Sequence, residues 1–204
     1  MPRILGAILA GGKASRMGGI NKALLSTRPG QSTLQHIIRQ MERAGLTDVA
    51  ILANDPIPYL SFGPAIIPDI HPGAGPLAGI EAALFFARQR GCDALCILPC
   101  DVPAITYREI QTLIAAFSES LHAVYATTPG NKGHFACAVI PTRALPVVTA
   151  SLVSQNRSLE ALLRKLRAKP VLFREASAFL NLNRPDDLKK WADVMPSPVR
   201  INTP

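Results

Sequence analysis

The chain has 204 residues, enough for one domain with a sizeable core, and its 48% hydrophobic content is ordinary for a globular protein. No apolar stretch reaches the ~18 residues of a bilayer-spanning helix, which argues against a helical membrane protein. A formal charge of +8 with only 5% aromatics and scattered bases argues against a stacking platform for single-stranded nucleic acid and suits small polyanionic ligands.

The start, Met1-Pro2-Arg3-Ile4, lacks the layout of a signal peptide and runs into an apolar stretch, Ile4 to Leu9, that reads as a short buried strand. A cytoplasmic location is expected. Ser32-Thr33-Leu34-Gln35 reads as a capping box, and Leu34, Ile37, Ile38 and Met41 keep helical spacing up to Gly45. Val49 to Ala53 and Ala65 to Pro68 are the next expected strands. Gly75-Pro76 opens a helix to about Gln89, with proline at its first position. Ala94 to Leu98 is a strand buried by its composition. Thr106-Tyr107-Arg108-Glu109 is a second capping box, opening a helix to about Phe117.

Ala123 to Thr127 and Phe135 to Ile140 are further expected strands, followed by helical stretches near 143–153 and 158–167. Val171 to Phe173 is a late strand. Pro185 to Trp191 is a last helix, with Asp186 and Asp187 in its favourable first turn. The domain is expected to span 1–193, with 194–204 a loose tail containing three prolines. Alternation of strands and helices predicts an α/β fold, a mainly parallel sheet with helices on both faces. Ligands then bind beyond the carboxyl ends of the strands.

The four cysteines, Cys92, Cys96, Cys100 and Cys137, do not have a usual zinc spacing. Cys96 lies inside an apolar run and is expected in the core. No disulfide framework is expected.

The most informative segment is Leu9-Ala10-Gly11-Gly12-Lys13-Ala14-Ser15-Arg16-Met17-Gly18-Gly19-Ile20-Asn21-Lys22. Four glycines and three lysine or arginine residues come after a strand. Glycine lets backbone N–H groups come close to a ligand, and successive N–H groups form a concave anion site to which the bases add full charge. The spacing matches neither the P-loop nor the dinucleotide pattern. It resembles the nucleotidyltransferases, in the pattern L-A-G-G-x-x-x-R-M-G-x-x-x-K.

Cys96-Ile97-Leu98-Pro99-Cys100-Asp101-Val102-Pro103 is the second segment: an apolar strand that ends by presenting one carboxylate. Mg²⁺ uses one or two carboxylates plus substrate phosphates, so Asp101 is the expected ligand, although alone it reads equally as a turn aspartate. Asp69 comes after another strand, and Gly75-Pro76-Leu77-Ala78-Gly79 opens a helix whose N-terminus suits phosphate or a base edge. Asn54, past the second strand, has the chemistry to read a base or ribose edge and is also an ordinary loop residue. Asn181 and Asn183, in Leu180-Asn181-Leu182-Asn183-Arg184-Pro185, face one side if extended. Either they contact a phosphate, or they serve as turn and cap. His134, before Phe135-Ala136-Cys137, is read as structural.

Together, the motifs at 9–22, 75–79, 98–103 and 181–185 resemble the MobA-type molybdenum cofactor guanylyltransferases, in order and over residues 4 to 192. The resemblance implies a Rossmann-like three-layer α/β/α nucleotidyltransferase fold. It also implies transfer of GMP from GTP to the phosphate of molybdenum-bound molybdopterin, with Mg²⁺ (or Mn²⁺) as metal. By that likeness Leu9, Ala10, Gly11 and Gly12 line the GTP site, and Arg16 and Lys22 face phosphates. Asn54 and Asp69 contact nucleotide, Asp101 holds the metal, and Asn181 and Asn183 lie near the pterin phosphate. Implied partners are molybdenum-insertion proteins and recipient molybdoenzymes, with the chain a monomer or weak homo-oligomer and no nucleic acid or membrane bound. Two positions depart from the family pattern: Asn21 stands where Asp is usual, and His134-Phe135-Ala136 replaces H-P-T. The residues leave open a CTP-using relative, a different phosphorylated acceptor, or a non-catalytic nucleotide-binding module that delivers molybdopterin.

Overall fold

The computed structural model describes residues 1–11, 16–17, 20–28, 31–153 and 157–181, and side chains for all of these except residues 16, 17, 20, 27 and 28. The expected last helix, the tail and the boundary at 193 lie outside the described residues. In chain order the elements are β1 (Ile4–Leu9), β2 (Arg16–Met17), β3 (Ile20–Asn21), β4 (Ser26–Arg28), β5 (Gln31–Ser32) and α1 (Thr33–Arg43). They continue with β6 (Val49–Leu52), β7 (Ala65–Ile67), α2 (Pro76–Gln89), β8 (Ala94–Pro99), α3 (Tyr107–Ser120), β9 (Val124–Thr128) and β10 (Lys132–Pro141). The remainder are α4 (Leu145–Leu152), α5 (Leu159–Lys165) and β11 (Lys169–Leu172).

Seven strands form one sheet in the order β11-β9-β10-β8-β1-β6-β7. The four strands β8, β1, β6 and β7 are mutually parallel, and β11 is parallel to β9. Only β10 runs against its neighbours, β8 and β9. The expected mainly parallel sheet is therefore present, with one antiparallel insertion.

Strand side chains alternate between two cores, as the period of two requires. Ile8, Cys96 and Leu98 pack under α1 and α3 with Leu34, Met41, Leu113 and Phe117. Ala7, Leu95 and Ile97 pack on the other face with Leu77, Ile80 and Leu84 of α2 and Val148 of α4. Both faces are covered, which is why Leu95 to Leu98 read as a continuous apolar run rather than an alternating one. Cys96 is fully buried, as expected for a core residue. All four cysteines are buried free thiols, and burial pushes the Cys96 and Cys100 thiols up to about 12.

Both helices start at their expected side-chain caps; the full reciprocal box forms at α3, and α1 shows the serine half among the described residues. Ser32 Oγ accepts from the Gln35 N–H at 3.2 Å, starting α1. Thr106 and Glu109 form the reciprocal box at α3, with the Thr106 N–H donating to Glu109 Oε2 at 2.9 Å.

Candidate active site

Because β8, β1, β6 and β7 point the same way, the segments after Leu9, Leu52, Ile67 and Pro99 emerge at one end of the sheet. Expected site residues from four separate stretches of sequence thus share an edge. Leu9 and Ala10 end β1 between its neighbours. The Ala10 N–H donates to the Leu52 carbonyl at 3.1 Å, and the Cys100 N–H donates to the Leu9 carbonyl at 3.1 Å. Gly11 then crosses the end of β6 so closely that a Cβ would lie 3.2 Å from both Ala53 Cα and the Leu52 carbonyl oxygen. Only glycine makes that crossing without displacing backbone. Gly12, Asn183 and the Arg16 side chain lie outside the described residues; the Arg16 backbone pairs with Asn21 across β2 and β3.

Lys22 begins a short 3-10 turn, Lys22–Leu24, capped by Asn21, whose Oδ1 accepts from the Ala23 N–H at 3.1 Å. The turn carries Lys22 into the interior, where the residue is only 5% exposed. Its Nζ reaches Asp101 Oδ2 at 3.5 Å. Asp101 occupies the turn after β8. Burial pushes its carboxyl above the ordinary carboxylate range, and the attraction of Lys22 opposes this without cancelling it.

Asn54 and Asp69 lie just beyond β6 and β7. Asn54 Nδ2 donates to Asp69 Oδ2 at 2.7 Å, and the Asp69 N–H donates to Asn54 Oδ1 at 2.8 Å. The two bonds close a ring that locks both side chains. Gly79 leaves room for it, since a Cβ there would lie 3.1 Å from Asp69 Oδ1. The second glycine of the 75–79 motif thus lets α2 approach this pair, in addition to any role in starting the helix.

A cavity of about 750 Å³ opens beside Asp101, lined also by Pro99, His134, Phe135, Ala136 and Asn181. A bulge of β10 forms part of its wall. His134 pairs with Ala126 and Ala138 with the adjacent Tyr125, so Phe135, Ala136 and Cys137 are extruded from the ladder. Bulges re-aim side chains in this way. His134 donates to or accepts from Thr128 Oγ1 at 3.0 Å and stacks on Phe179, ring centroids 4.8 Å apart. Burial, helped by Lys132, pushes the His134 pKa below its ordinary value. The contacts with Thr128 and Phe179 hold the His134 ring in place, and it forms part of the cavity wall.

The structure therefore delivers Leu9, Ala10, Gly11 and Asp101 to one end of the sheet, pairs Lys22 with Asp101, lines one cavity with Asp101 and Asn181, and sets the Asn54 backbone beside Gly11. Sequence reasoning missed Tyr59. It is buried on a 3-10 segment, Ile57–Phe62, and its hydroxyl reaches the Ala10 carbonyl at 3.0 Å. A lone tyrosine in Pro56-Ile57-Pro58-Tyr59 has no periodic signal to mark it as interior.

Among the described residues no group of three or more histidines, cysteines or acids could hold a metal ion. The donor set suits a hard cation that takes one carboxylate, Asp101, and completes its shell with phosphate oxygens and water.

The chain is similar to known proteins in sequence and in fold. The family model of the MobA-like NTP transferase domain matches residues 6–171. A molybdenum cofactor guanylyltransferase of Cereibacter sphaeroides is 34% identical over 196 residues, covering 95% of this chain and 97% of the relative. Another, from Yersinia pestis (strain Pestoides F), is 33% identical over 193 residues, covering 93% and 95%. Among solved structures, molybdopterin-guanine dinucleotide biosynthesis protein A of Archaeoglobus fulgidus superposes with TM-score 0.71 at 20% identity, covering 93% of this chain and 97% of that one. CMP:2-keto-3-deoxy-manno-octonic acid synthetase, solved with CTP, shares the fold with TM-score 0.67 at 16% identity, covering 92% and 96%. With a family model spanning most of its length and relatives aligned end to end, the chain belongs to the MobA-like NTP transferase family.

Proposed function

We propose that this chain transfers GMP from GTP to the phosphate of molybdenum-bound molybdopterin and releases pyrophosphate. The names of its full-length relatives support the reaction and the choice of GTP. The observation that carries the site assignment is the approach of Lys22 to Asp101 at 3.5 Å, beside the cavity that Asp101 lines.

An acceptor phosphate oxygen attacks the α-phosphorus of GTP in line, and pyrophosphate leaves. A phosphate monoester is already largely ionised, so the reaction needs positioning and charge stabilisation more than a general base. Gly11 and Gly12 hold the triphosphate by backbone N–H groups. Lys22 and Arg16 stabilise the charge that grows on the leaving pyrophosphate. Asn54 and Asp69 contact the nucleoside. Asp101 is the residue that would hold Mg²⁺ (or Mn²⁺), which supplies Lewis-acid polarisation and neutralises phosphate charge when bound. The cavity beside Asp101 receives the pterin, with Asn181 and Asn183 toward its phosphate. No helix among the described residues is long and apolar enough to cross a membrane. We further propose a cytoplasmic enzyme, a monomer or weak homo-oligomer, that exchanges cofactor with molybdenum-insertion proteins and molybdoenzymes.

The test is purified protein with Mg²⁺, acceptor and each nucleoside triphosphate separately, with pyrophosphate release as the readout. Release with GTP alone is expected. Release with CTP instead would move the reading to a cytidylyltransferase, and GTP binding without release would favour a delivery module. Lys22→Ala should weaken GTP binding or slow transfer; unchanged affinity and rate would remove Lys22 from the site.

A further inference from the structure

Two hydrogen bonds through Tyr59 tie the residue before Lys22 to Ala10 at the end of β1, and a third caps the turn that carries Lys22. Asn21 Nδ2 donates to the Tyr59 hydroxyl at 2.8 Å. The Tyr59 hydroxyl donates to the Ala10 carbonyl at 3.0 Å. Asn21 Oδ1 accepts from the Ala23 N–H at 3.1 Å.

Chemistry at both ends gives this relay one direction. A backbone N–H only donates, so the side-chain atom facing Ala23 must be oxygen, and the Asn21 nitrogen must face Tyr59. A carbonyl only accepts, and a phenol has one proton. The Tyr59 proton therefore lies toward Ala10 and a lone pair faces Asn21.

The consequence lies one peptide further on. The Ala10–Gly11 peptide is planar and trans, so the Ala10 C=O and the Gly11 N–H point in opposite directions. Tyr59 is 4% exposed and Ala10 is 1% exposed, whereas Gly11 is exposed. Holding the carbonyl inward against Tyr59 aims the Gly11 N–H outward.

We propose that Asn21 and Tyr59 are positioning residues for the nucleoside triphosphate. One amide caps the turn that carries Lys22 and, through the Tyr59 hydroxyl, holds the Gly11 N–H toward the polyphosphate. This rests on the reading that GTP occupies the glycine-rich turn. It also explains why the amide of Asn21 matters here. A carboxylate at 21 would cap Ala23 equally well but accepts only, and would draw the Tyr59 proton away from Ala10.

The test uses the full chain, steady-state kinetics with GTP and acceptor, and calorimetric titration of GTP with Mg²⁺. Asn21→Asp is expected to raise the GTP KM and Kd by about tenfold, the effect of one mispaired buried hydrogen bond, with kcat and the acceptor KM within about twofold. Tyr59→Phe is expected to raise the GTP KM similarly. The double variant should be no worse than Tyr59→Phe alone, because without the phenol there is no direction to reverse. Simple repulsion between a new carboxylate and triphosphate would persist in the Tyr59→Phe background, so additive losses would overturn the relay. Asn21→Ala introduces no charge and should also raise the GTP KM; an unchanged value overturns the proposal even if Tyr59→Phe does not fold. Asp101→Ala separates the two layers. If it keeps full turnover, the site reading itself fails. If it is inactive while Asn21→Asp keeps the wild-type GTP KM, only the relay fails.

Discussion

Lys22 and Asp101 form a loose ion pair, Nζ to Oδ2 3.5 Å apart, with side chains 6% and 18% exposed. Charge-assisted bonds are usually ~2.7–2.9 Å long, so this carboxylate is attracted without being saturated. A buried ammonium needs an opposite charge nearby, and a partly dried carboxylate at a cavity rim gains from a second cation. The pair is thus stable as a contact and still open to chemistry.

Replacing the acid by its amide separates charge from packing. Asp101→Asn keeps an acceptor for Lys22 and nearly the same volume. Pyrophosphate release should fall by about 10²–10³-fold, the loss typical of one electrostatic stabiliser. Urea unfolding should show stability within about 1 kcal/mol of wild type. Full turnover in this variant would remove Asp101 as a metal ligand.

Gly11→Ala places a methyl group 3.2 Å from Ala53 Cα and the Leu52 carbonyl oxygen. Both are backbone, so the turn itself has to move. The expected cost is about 1–3 kcal/mol, as for overpacking in a core, together with a raised GTP KM. Thermal melting and initial-rate kinetics on the same preparation check both parts.

His134 makes stability depend on pH. Its pKa is depressed by burial first and by Lys132 second, so the folded protein prefers the neutral ring. The unfolded chain takes up the proton near the ordinary value of about 6.5. Between the folded and unfolded values the unfolded state binds more protons, and stability falls as pH drops through that window. His134→Gln should flatten this slope, read as urea midpoints at about pH 7.5 and about pH 5.5. An equal slope in the variant would show that other groups carry the dependence.

Thr106→Ala should destabilise the fold by about 1–2 kcal/mol without changing the GTP KM. The hydroxyl accepts from the Arg108 N–H at 3.3 Å and donates to Glu109 Oε2 at 2.6 Å, both at the start of α3. Denaturation monitored by circular dichroism measures the loss. A shifted KM would mean that α3 reaches the site.

Much of this architecture was legible because its causes are local. Ser32 and Thr106 announce their helices through hydrogen bonds to residues two or three positions on. Ile4 to Leu9 and Ala94 to Pro99 announce buried strands through unbroken apolar runs. Parallel strands deliver their C-terminal loops to a common edge, so Gly11 and Asp101 were readable as sharing one end of the sheet.

The expected Phe135 to Ile140 strand was shorter than the observed Lys132–Pro141, and its direction and bulge carried no local mark. Tyr59 was silent for the same reason, because its partners, Asn21 and Ala10, are distant in sequence. By itself the sequence determined the helix caps, the two-faced core and the residues presented at the strand ends, all consequences of side-chain type and spacing along a few turns of chain. Tertiary structure alone decided that β10 is antiparallel, that its bulge lines the cavity beside Asp101, and that Tyr59 links Asn21 to Ala10. Those features depend on which distant segments meet, and periodicity does not encode a partner.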